Sequence, residues 1–313
     1  MSTVNAVIVA LAGGVGAARM LSGLTQIVDP RTITAIVNTG DDLVLHGLHI
    51  SPDLDTCTYT LAGAISKERG WGLEGETWQA MGALARYGEA AHAWFGLGDK
   101  DLATHLYRTQ RLADGTTLTD VTAEITAAWG LELTLLPMSD DPVRTQVTIA
   151  GEGEVGFQEY FVKRQHAVPV TAVRFEGAGE ARPGPTVVAA IRTAARIVIC
   201  PSNPIVSIGP LLAVPGIRDA VEARRADTVA VSPIIAGAAV KGPADRMLAE
   251  LGHEPTVVGV ARLYAPLARA LIIDEADAEL AAEVEAEGIE AIVAPTLMTG
   301  PAEAAALAKV ALA

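Results

Sequence analysis

The sequence predicts an α/β protein with a parallel sheet core flanked by helices and an inserted layer of mixed helix and strand. Three observations predict it. The stretch NAVIVALAGGVGAARMLSGLTQIV passes from an apolar run through glycines into a helical pattern. From about residue 185 to the C-terminus, short apolar runs recur, each followed by a loop and mostly by a helix. Half of the 313 residues are hydrophobic, enough to cover both faces of such a sheet.

The first run, Ala6–Leu11, reads as a buried strand, and Ala17, Met20, Leu21, Leu24, Ile27 and Val28 follow its glycine turn at helical spacing. After Asp29-Pro30 comes a second strand, Thr32–Val37, closed by the turn residues Asn38-Thr39-Gly40. From Thr58 to Trp129 the pattern is largely helical and holds all four tryptophans, with Gly98-Asp99 as a turn entering a helix. Leu131 to Phe175 alternates as strands do, including RTQVTIAG and FQEYFVKRQ. Residues 58–184 are therefore expected as a cap-like insertion on a core of 1–57 and 185–313, all within one domain. The core resumes with ARIVICP, TVAVSP, PTVVGVARLY, ALIID and EAIVAP as further apolar runs of the parallel pattern, and ends in an alanine-rich helix.

The formal net charge of −14 opposes nonspecific nucleic-acid binding, which needs a basic stripe to replace phosphate counterions. The apolar runs are too short to span a bilayer and no basic segment precedes the first one, so a cytoplasmic protein is expected. Cys57 and Cys200 are too few for a disulfide framework and are expected as buried thiols.

The segment NTGDDLVLHGLHISPDLDT, residues 38–56, crowds Asp41, Asp42, Asp53 and Asp55 together, with no lysine or arginine between Arg31 and Lys67. Carboxylates so placed repel one another unless they splay into water or share a cation, and Mg²⁺ is the hard divalent ion that suits one or two of them plus phosphate oxygens. Asp41 or Asp53 can instead cap a turn. The cluster begins at the carboxyl end of a strand, the edge where open parallel sheets bind ligands. Gly13-Gly14-Val15-Gly16 can bring backbone amides to a phosphate at a helix N-terminus, or make only a tight turn. It lacks the third glycine of a dinucleotide fingerprint, where Arg19 stands, and the lysine of a P-loop. PSNPIVSIGP offers Ser202, Asn203 and Ser207 as caps or as a polar cradle for a base or phosphate. Lys241 is a lone cation in a similar loop on the next strand, and Lys100, Arg108, Arg111, Lys163 and Arg164 are candidates to meet an anion. His105 and Arg108 share a helix face. No Ser-His-Asp order or zinc-ligand spacing is present.

An ordered series of blocks runs along nearly the whole chain: GGVGAARML, NTGDD, HGLHISPDLDTCTYTLAG, RGWG, WFGLGDKDLATHLYRTQRL, LLPMSDD, PSNPIVSIGP, AVPGIRDA and VSPIIAGAAVKGPADRM. It resembles the 2-phospho-L-lactate transferase family of coenzyme F420 biosynthesis, including its phosphoenolpyruvate transferase members. The resemblance implies a Rossmann-like core, a homodimer and Mg²⁺ dependence. It implies transfer of a phospholactyl or phosphoenolpyruvyl group from a guanylyl diphosphate donor to the ribityl hydroxyl of a deazaflavin, with release of GMP. Carried over to this chain, it puts Asp42 and Asp55 nearest the metal and the attacking hydroxyl, with Asp41 and Asp53 as further metal candidates. Gly13, Gly14, Val15, Gly16, Asn38, Ser202, Asn203, Pro204 and Ser207 would hold the nucleotide. Asp55, Thr56, Trp94, Phe95, Gly98 and Asp99 would hold the deazaflavin, with Lys100, His105, Arg108, Lys163 and Lys241 as anion contacts. Asp55→Asn is then expected to abolish transfer at near-normal stability. Two rivals remain: a non-catalytic nucleotide-sensing relative, and an NAD(P)-dependent oxidoreductase with Asp41 on a ribose hydroxyl. The missing third glycine and the pair Asp53 and Asp55 count against the oxidoreductase.

Overall fold

A computed structural model describes residues 7–313; Ala6, the first residue of the first predicted strand, lies outside them. Seven strands form the central sheet: β1 (Ile8–Ala12), β2 (Ile33–Val37), β3 (Thr134–Pro137), β4 (Arg196–Ile199), β5 (Thr228–Val231), β6 (Ala270–Ile273) and β7 (Glu290–Val293). Their order is β7-β6-β5-β4-β1-β2-β3, and every pair is parallel. The chain winds outward from β1 in one direction through β2 and β3, then returns to start again at β4. The strand order thus reverses between β1 and β4, which opens a crevice at their carboxyl ends.

Both faces of the sheet are covered, so its strands are mostly apolar runs instead of alternating, with polar residues such as Arg196 and Glu290 at their first positions. Val9 and Leu11 of β1 join Ile36, Ile197 and Ile199 in one core. Ile8, Ala10 and Ala12 join Ile33, Ala35 and Val37 in the other, beneath α1 (Gly14–Ile27). In α1 the predicted positions Ala17, Met20, Leu21 and Leu24 are buried, as the spacing requires. Gly23 lets α1 lie against the alanine-rich C-terminal helix, because a Cβ there would run into the Ala304 carbonyl. Both cysteines are buried free thiols. Among the described residues no helix is long and apolar enough to cross a membrane.

Three segments depart from the sequence-based expectation. β3 lies within residues 58–184 yet forms the edge of the central sheet, paired with β2. FQEYFVKRQ is not a strand but a helical turn of π type over Glu159–Lys163. Its apparent alternation is a helical spacing: Phe157, Tyr160 and Phe161 lie at i, i+3 and i+4 and pack with Val147, Val170 and Met247. PTVVGVARLY forms the helix Val257–Tyr264, started by Thr256, whose hydroxyl accepts from the amides of Val258 and Gly259. A helix buried on nearly every side has the same composition as a buried strand, and the cap is what distinguishes them. RTQVTIAG does form a strand, Arg144–Ile149, at the centre of a three-stranded antiparallel sheet. The helices that bear on the site are α2 (Pro52–Leu61) and α3 (Asp101–Ala113).

Candidate functional site

A cavity of about 1060 Å³ lies at the carboxyl edge of the sheet, lined by loops that follow β1, β2, β4, β5 and β7 and by segments of residues 69–105 and 157–166. The glycine loop and the serine loop form its floor by interlocking. A Cβ on Gly13 would stand 2.8 Å from the Ser207 Cβ, and one on Gly16 would overlap the Pro201 carbonyl. Ser202 Oγ donates to the Gly13 carbonyl at 2.7 Å. The glycines therefore serve close packing and cavity lining at once: Gly13–Gly16, Ser202, Asn203 and Ser207 all face the cavity. Asn203 also caps its own turn, accepting from the amides of Ile205 and Val206. Asn38 and Pro204 are not cavity-lining; both are buried, Asn38 with its Nδ2 on Asp53 and its Oδ1 accepting from Gly40 N at 2.8 Å.

The four aspartates divide into two environments. Asp53 accepts from Gly14 N and from Asn38 Nδ2, each at 2.9 Å, and has no cation beside it. Burial, against these two hydrogen bonds, pushes its pKa up to about 6. Asp41 is buried on the cavity wall with no partner for Oδ1; burial and then the charges of Asp53 and Asp42 raise its pKa well above the usual range. Asp42 does not line the cavity. It accepts from Ser51 Oγ at 2.7 Å, and burial outweighs that bond and raises its pKa to about 7.

Asp55 has its counter-charge within the chain. Arg108, only 2% exposed, forks onto it from α3, with Nη1 3.1 Å from Oδ2 and Nη2 on Oδ1. The cation that the local sequence lacks is thus supplied from 53 positions away for this aspartate, and Arg108, expected to meet an anion in the cavity, is committed to Asp55 behind the cavity wall. Removing either partner strands the other in the interior, which corrects the expectation that Asp55→Asn leaves stability near normal. Beside this pair, His105 Nε2 lies 3.3 Å from Asp101 Oδ2 and Nδ1 lies 3.7 Å from Asp55 Oδ2. Tyr59 donates its hydroxyl to Asp101 at 2.6 Å. Burial would raise the Asp101 pKa, but its contacts with His105 and Tyr59 win and hold it below the ordinary carboxylate value. Asp101 and Tyr59 escape the sequence reading, although Asp55 and Tyr59, and Asp101 and His105, each lie at i and i+4 on the facing sides of α2 and α3.

Two carboxylate groupings fit a divalent cation to different degrees. Asp55, Asp101 and His105 bring one ligand atom each to within 4.8 Å of one another, but Arg108 already neutralises Asp55 there. Asp41 and Asp53 offer the cavity two carboxylates without a cation, one of them with an unpartnered buried oxygen. Oxygen donors of that kind suit a hard ion, whereas the imidazole set suits a softer one.

The remaining predicted residues separate likewise. Thr56, Trp94, Phe95, His105 and Lys241 line the cavity; Gly98, Asp99, Lys100 and Lys163 do not. Asp99 accepts from the amides of Gln79 and Ala80 at 3.0 Å, while Glu76 accepts from those of Lys100 and Asp101 at 2.8 and 2.9 Å. A Cβ on Gly98 would strike the Glu76 carboxylate, so Gly98-Asp99 is the joint of a reciprocal cap that sets the start of α3. Lys100 Nζ binds the Glu74 carbonyl and Lys163 pairs with Glu159. Arg19, Arg69 and Trp71, which were not expected as contacts, also line the cavity.

The family model described as 2-phospho-L-lactate transferase CofD matches residues 8–297. The chain is similar to a phosphoenolpyruvate transferase of Kitasatospora aureofaciens, 49% identical across 98% of this chain and 97% of that protein. It is similar to a phosphoenolpyruvate transferase of Streptomyces griseus at 48% identity, across 97% of each chain. In fold it is similar to the crystal structure of a UPF0052-family protein from Bacillus halodurans, with a TM-score of 0.64 and 16% identity over 98% of this chain and 99% of the other.

Proposed function

The chain belongs to the 2-phospho-L-lactate transferase family, and from that premise we propose that it moves a phosphoenolpyruvyl or phospholactyl group from a guanylyl diphosphate to the terminal ribityl hydroxyl of 7,8-didemethyl-8-hydroxy-5-deazariboflavin. The hydroxyl oxygen bonds to the distal phosphorus, the bond from that phosphorus to the GMP oxygen breaks, and GMP leaves. One observation carries the reading: a single cavity joins the glycine–serine cradle at the strand tips to the aromatic residues Trp71, Trp94 and Phe95, with Asp41, Asp53 and Asp55 also on its wall. At about 1060 Å³ it slightly exceeds the roughly 300–1,000 Å³ typical of a pocket for one drug-sized ligand, which suits a nucleotide and a flat heterocycle held side by side.

Phosphoryl transfer asks for positioning and charge neutralisation more than covalent help from the protein. The loop amides and hydroxyls of Gly13–Gly16, Ser202 and Ser207 meet the diphosphate and guanosine, and the indole of Trp94 and ring of Phe95 meet the deazaflavin. Asp41 and Asp53 are the residues that would hold Mg²⁺, which when bound supplies positive charge to the diphosphate. Asp55, its orientation fixed by Arg108, accepts the hydrogen bond of the attacking hydroxyl. In a loose transition state that proton departs late, so a weakly basic carboxylate serves. The same reading makes the protein a cytoplasmic homodimer acting on small molecules in coenzyme F420 biosynthesis.

Calorimetric titration with the deazaflavin and with GDP, each in Mg²⁺ and then in EDTA, tests the reading. Deazaflavin binding together with GDP binding that weakens in EDTA is expected. Retained GDP binding with no affinity for the deazaflavin would defeat it in favour of a nucleotide-sensing protein.

A further inference from the structure

Three cations line the cavity and are paired with no acidic group among the described residues. Elsewhere in this acidic protein most arginines are paired, as Arg111 is with Glu124 and Arg262 with Glu254 and Glu287. Among the described residues Arg19, Arg69 and Lys241 make no ion pair, yet all three are cavity residues. They come from separate elements: Arg19 from α1, Arg69 from the loop after α2, and Lys241 from the loop after β5.

Arg69 is the most constrained of the three. Its guanidinium lies over Trp71 and Trp78, 5.6 and 5.3 Å from the ring centroids, and Nη2 donates to the Leu73 carbonyl at 2.8 Å. Its Nε is buried and has no acceptor. A side chain stacked and tethered in this way loses little freedom on binding, and a buried donor without a partner favours any ligand that supplies one. Lys241 completes the cluster: a Cβ on Gly70 would stand 2.5 Å from its Nζ, which puts the ammonium against the backbone beside Arg69. Arg19, whose Nη1 is held by the Met298 carbonyl at 2.9 Å, lies near enough for its charge to act on Lys241. Burial first, and then that charge, lower the Lys241 pKa. Like charges gathered without a counter-ion point to an anion that arrives with a ligand.

The place of the cluster indicates which anion. Arg19 stands one turn along α1 from Gly16, at the phosphate end of the cavity, whereas Trp71 and Trp78 pack against Gly96 beside the aromatic residues Trp94 and Phe95. The cations therefore span from the nucleotide cradle to the proposed acceptor wall, where the group in transit must sit. Lactyl and enolpyruvyl phosphoesters share one feature that GDP lacks, a carboxylate on the carbon that bears the ester oxygen. We propose that Arg69, with Lys241 and Arg19, forms the subsite that recognises this carboxylate, so that the protein selects phosphoesters of 2-hydroxy or enol carboxylic acids over a bare nucleoside diphosphate. The inference rests on the transferase reading and adds to it the feature by which the transferred group is chosen. An arginine fork matches a carboxylate in a way that an ammonium or an amide does not.

The test compares three ligands on the wild type and on Arg69→Gln, Arg69→Lys and Lys241→Gln: GDP, its distal-phosphate methyl ester, and the enolpyruvyl or lactyl ester. The wild type should bind the carboxylated ester more tightly than the methyl ester, and Arg69→Gln should erase roughly 10- to 100-fold of that preference while GDP affinity holds. Arg69→Lys should recover only part of the loss. Lys241 belongs to none of the hydrophobic clusters, so Lys241→Gln repeats the test without touching the core. Equal weakening of GDP and the carboxylated ester in the Arg69 variants would overturn the subsite, because the cations would then hold the diphosphate. Transfer to the deazaflavin is read in the same samples. A wild type that transfers but shows no preference for the carboxylate overturns the subsite alone; one that neither transfers nor binds the ester overturns the reaction and the subsite together.

Discussion

A carboxylate that faces a ligand cavity and also neutralises a buried arginine cannot be removed without structural cost, and Asp55 is in that position. Asp55→Asn should lower stability by about 3 kcal/mol, since it leaves the Arg108 charge in the interior without an opposite charge. Chemical denaturation measures this directly. Adding Arg108→Met should recover most of the stability without restoring transfer, which separates the structural role of Asp55 from the catalytic role proposed for it. A single variant as stable as the wild type would show that the pair contributes nothing to the fold. The sequence exposes the crowding of Asp41, Asp42, Asp53 and Asp55, because the gap between Arg31 and Lys67 is visible by inspection. It does not expose Arg108 as the partner. His105 and Arg108 share a helix face in any reading of α3, but which helix they turn towards is a tertiary fact. Nor does it rank the aspartates: Asp42 and Asp53 have similar apolar and turn neighbours in sequence, yet Asp53 lines the cavity and Asp42 does not.

At the scale of elements, the parallel strands were legible wherever a short apolar run follows a turn, and α1 was legible from the burial period of Ala17 to Leu24. Two runs misread as strands, around Glu159–Lys163 and Val257–Tyr264, are helices whose apolar residues face partners on several sides. In such surroundings composition no longer reports period, and only local signals such as the Thr256 cap remain. The Gly98-Asp99 turn was placed correctly before a helix, but its purpose lies in Glu76, 24 and 25 residues before the amides it caps. Glu76→Ala removes the acceptor for the amides of Lys100 and Asp101, and loss of a cap costs about 1–2 kcal/mol. Because Asp101 begins α3 and holds His105 and Tyr59, transfer should fall along with stability while GDP affinity is preserved. Titration of the variant with GDP, beside its denaturation curve, checks this. Loss of GDP binding would mean that the cap also supports the nucleotide cradle.

At the scale of the molecule, the location of the site follows from topology and was legible once the strand ends were, since the reversal between β1 and β4 fixes the crevice. The gathering of Arg19, Arg69 and Lys241 was not legible, because it needs loops from different parts of the chain to meet. Topology also buries Asp41 and Asp53 without a counter-charge, and Asp42 with only the positive charges of Arg108 and Arg144 acting on it, in a chain of net charge −14, and this has a consequence for stability. Asp53 and Asp42 carry pKa values raised by burial to about 6 and about 7, against an unfolded value near 4. An acid with a raised folded pKa binds its proton more tightly in the native state than in the unfolded chain. Its contribution is therefore most favourable below about pH 4 and is lost as pH rises through about 6 and 7. Without metal, the melting temperature should fall between about pH 5 and pH 8 as these groups ionise beside one another. A divalent cation held by Asp41 and Asp53 opposes that loss only where they are ionised, so the stabilisation by Mg²⁺ should be on the order of 5 °C at pH 8 and much smaller at pH 5. Thermal melts in EDTA and in Mg²⁺ at the two pH values measure both shifts. Equal stabilisation at both would place the ion on groups that do not titrate in this range, and no stabilisation at either would remove Asp41 and Asp53 from the metal site.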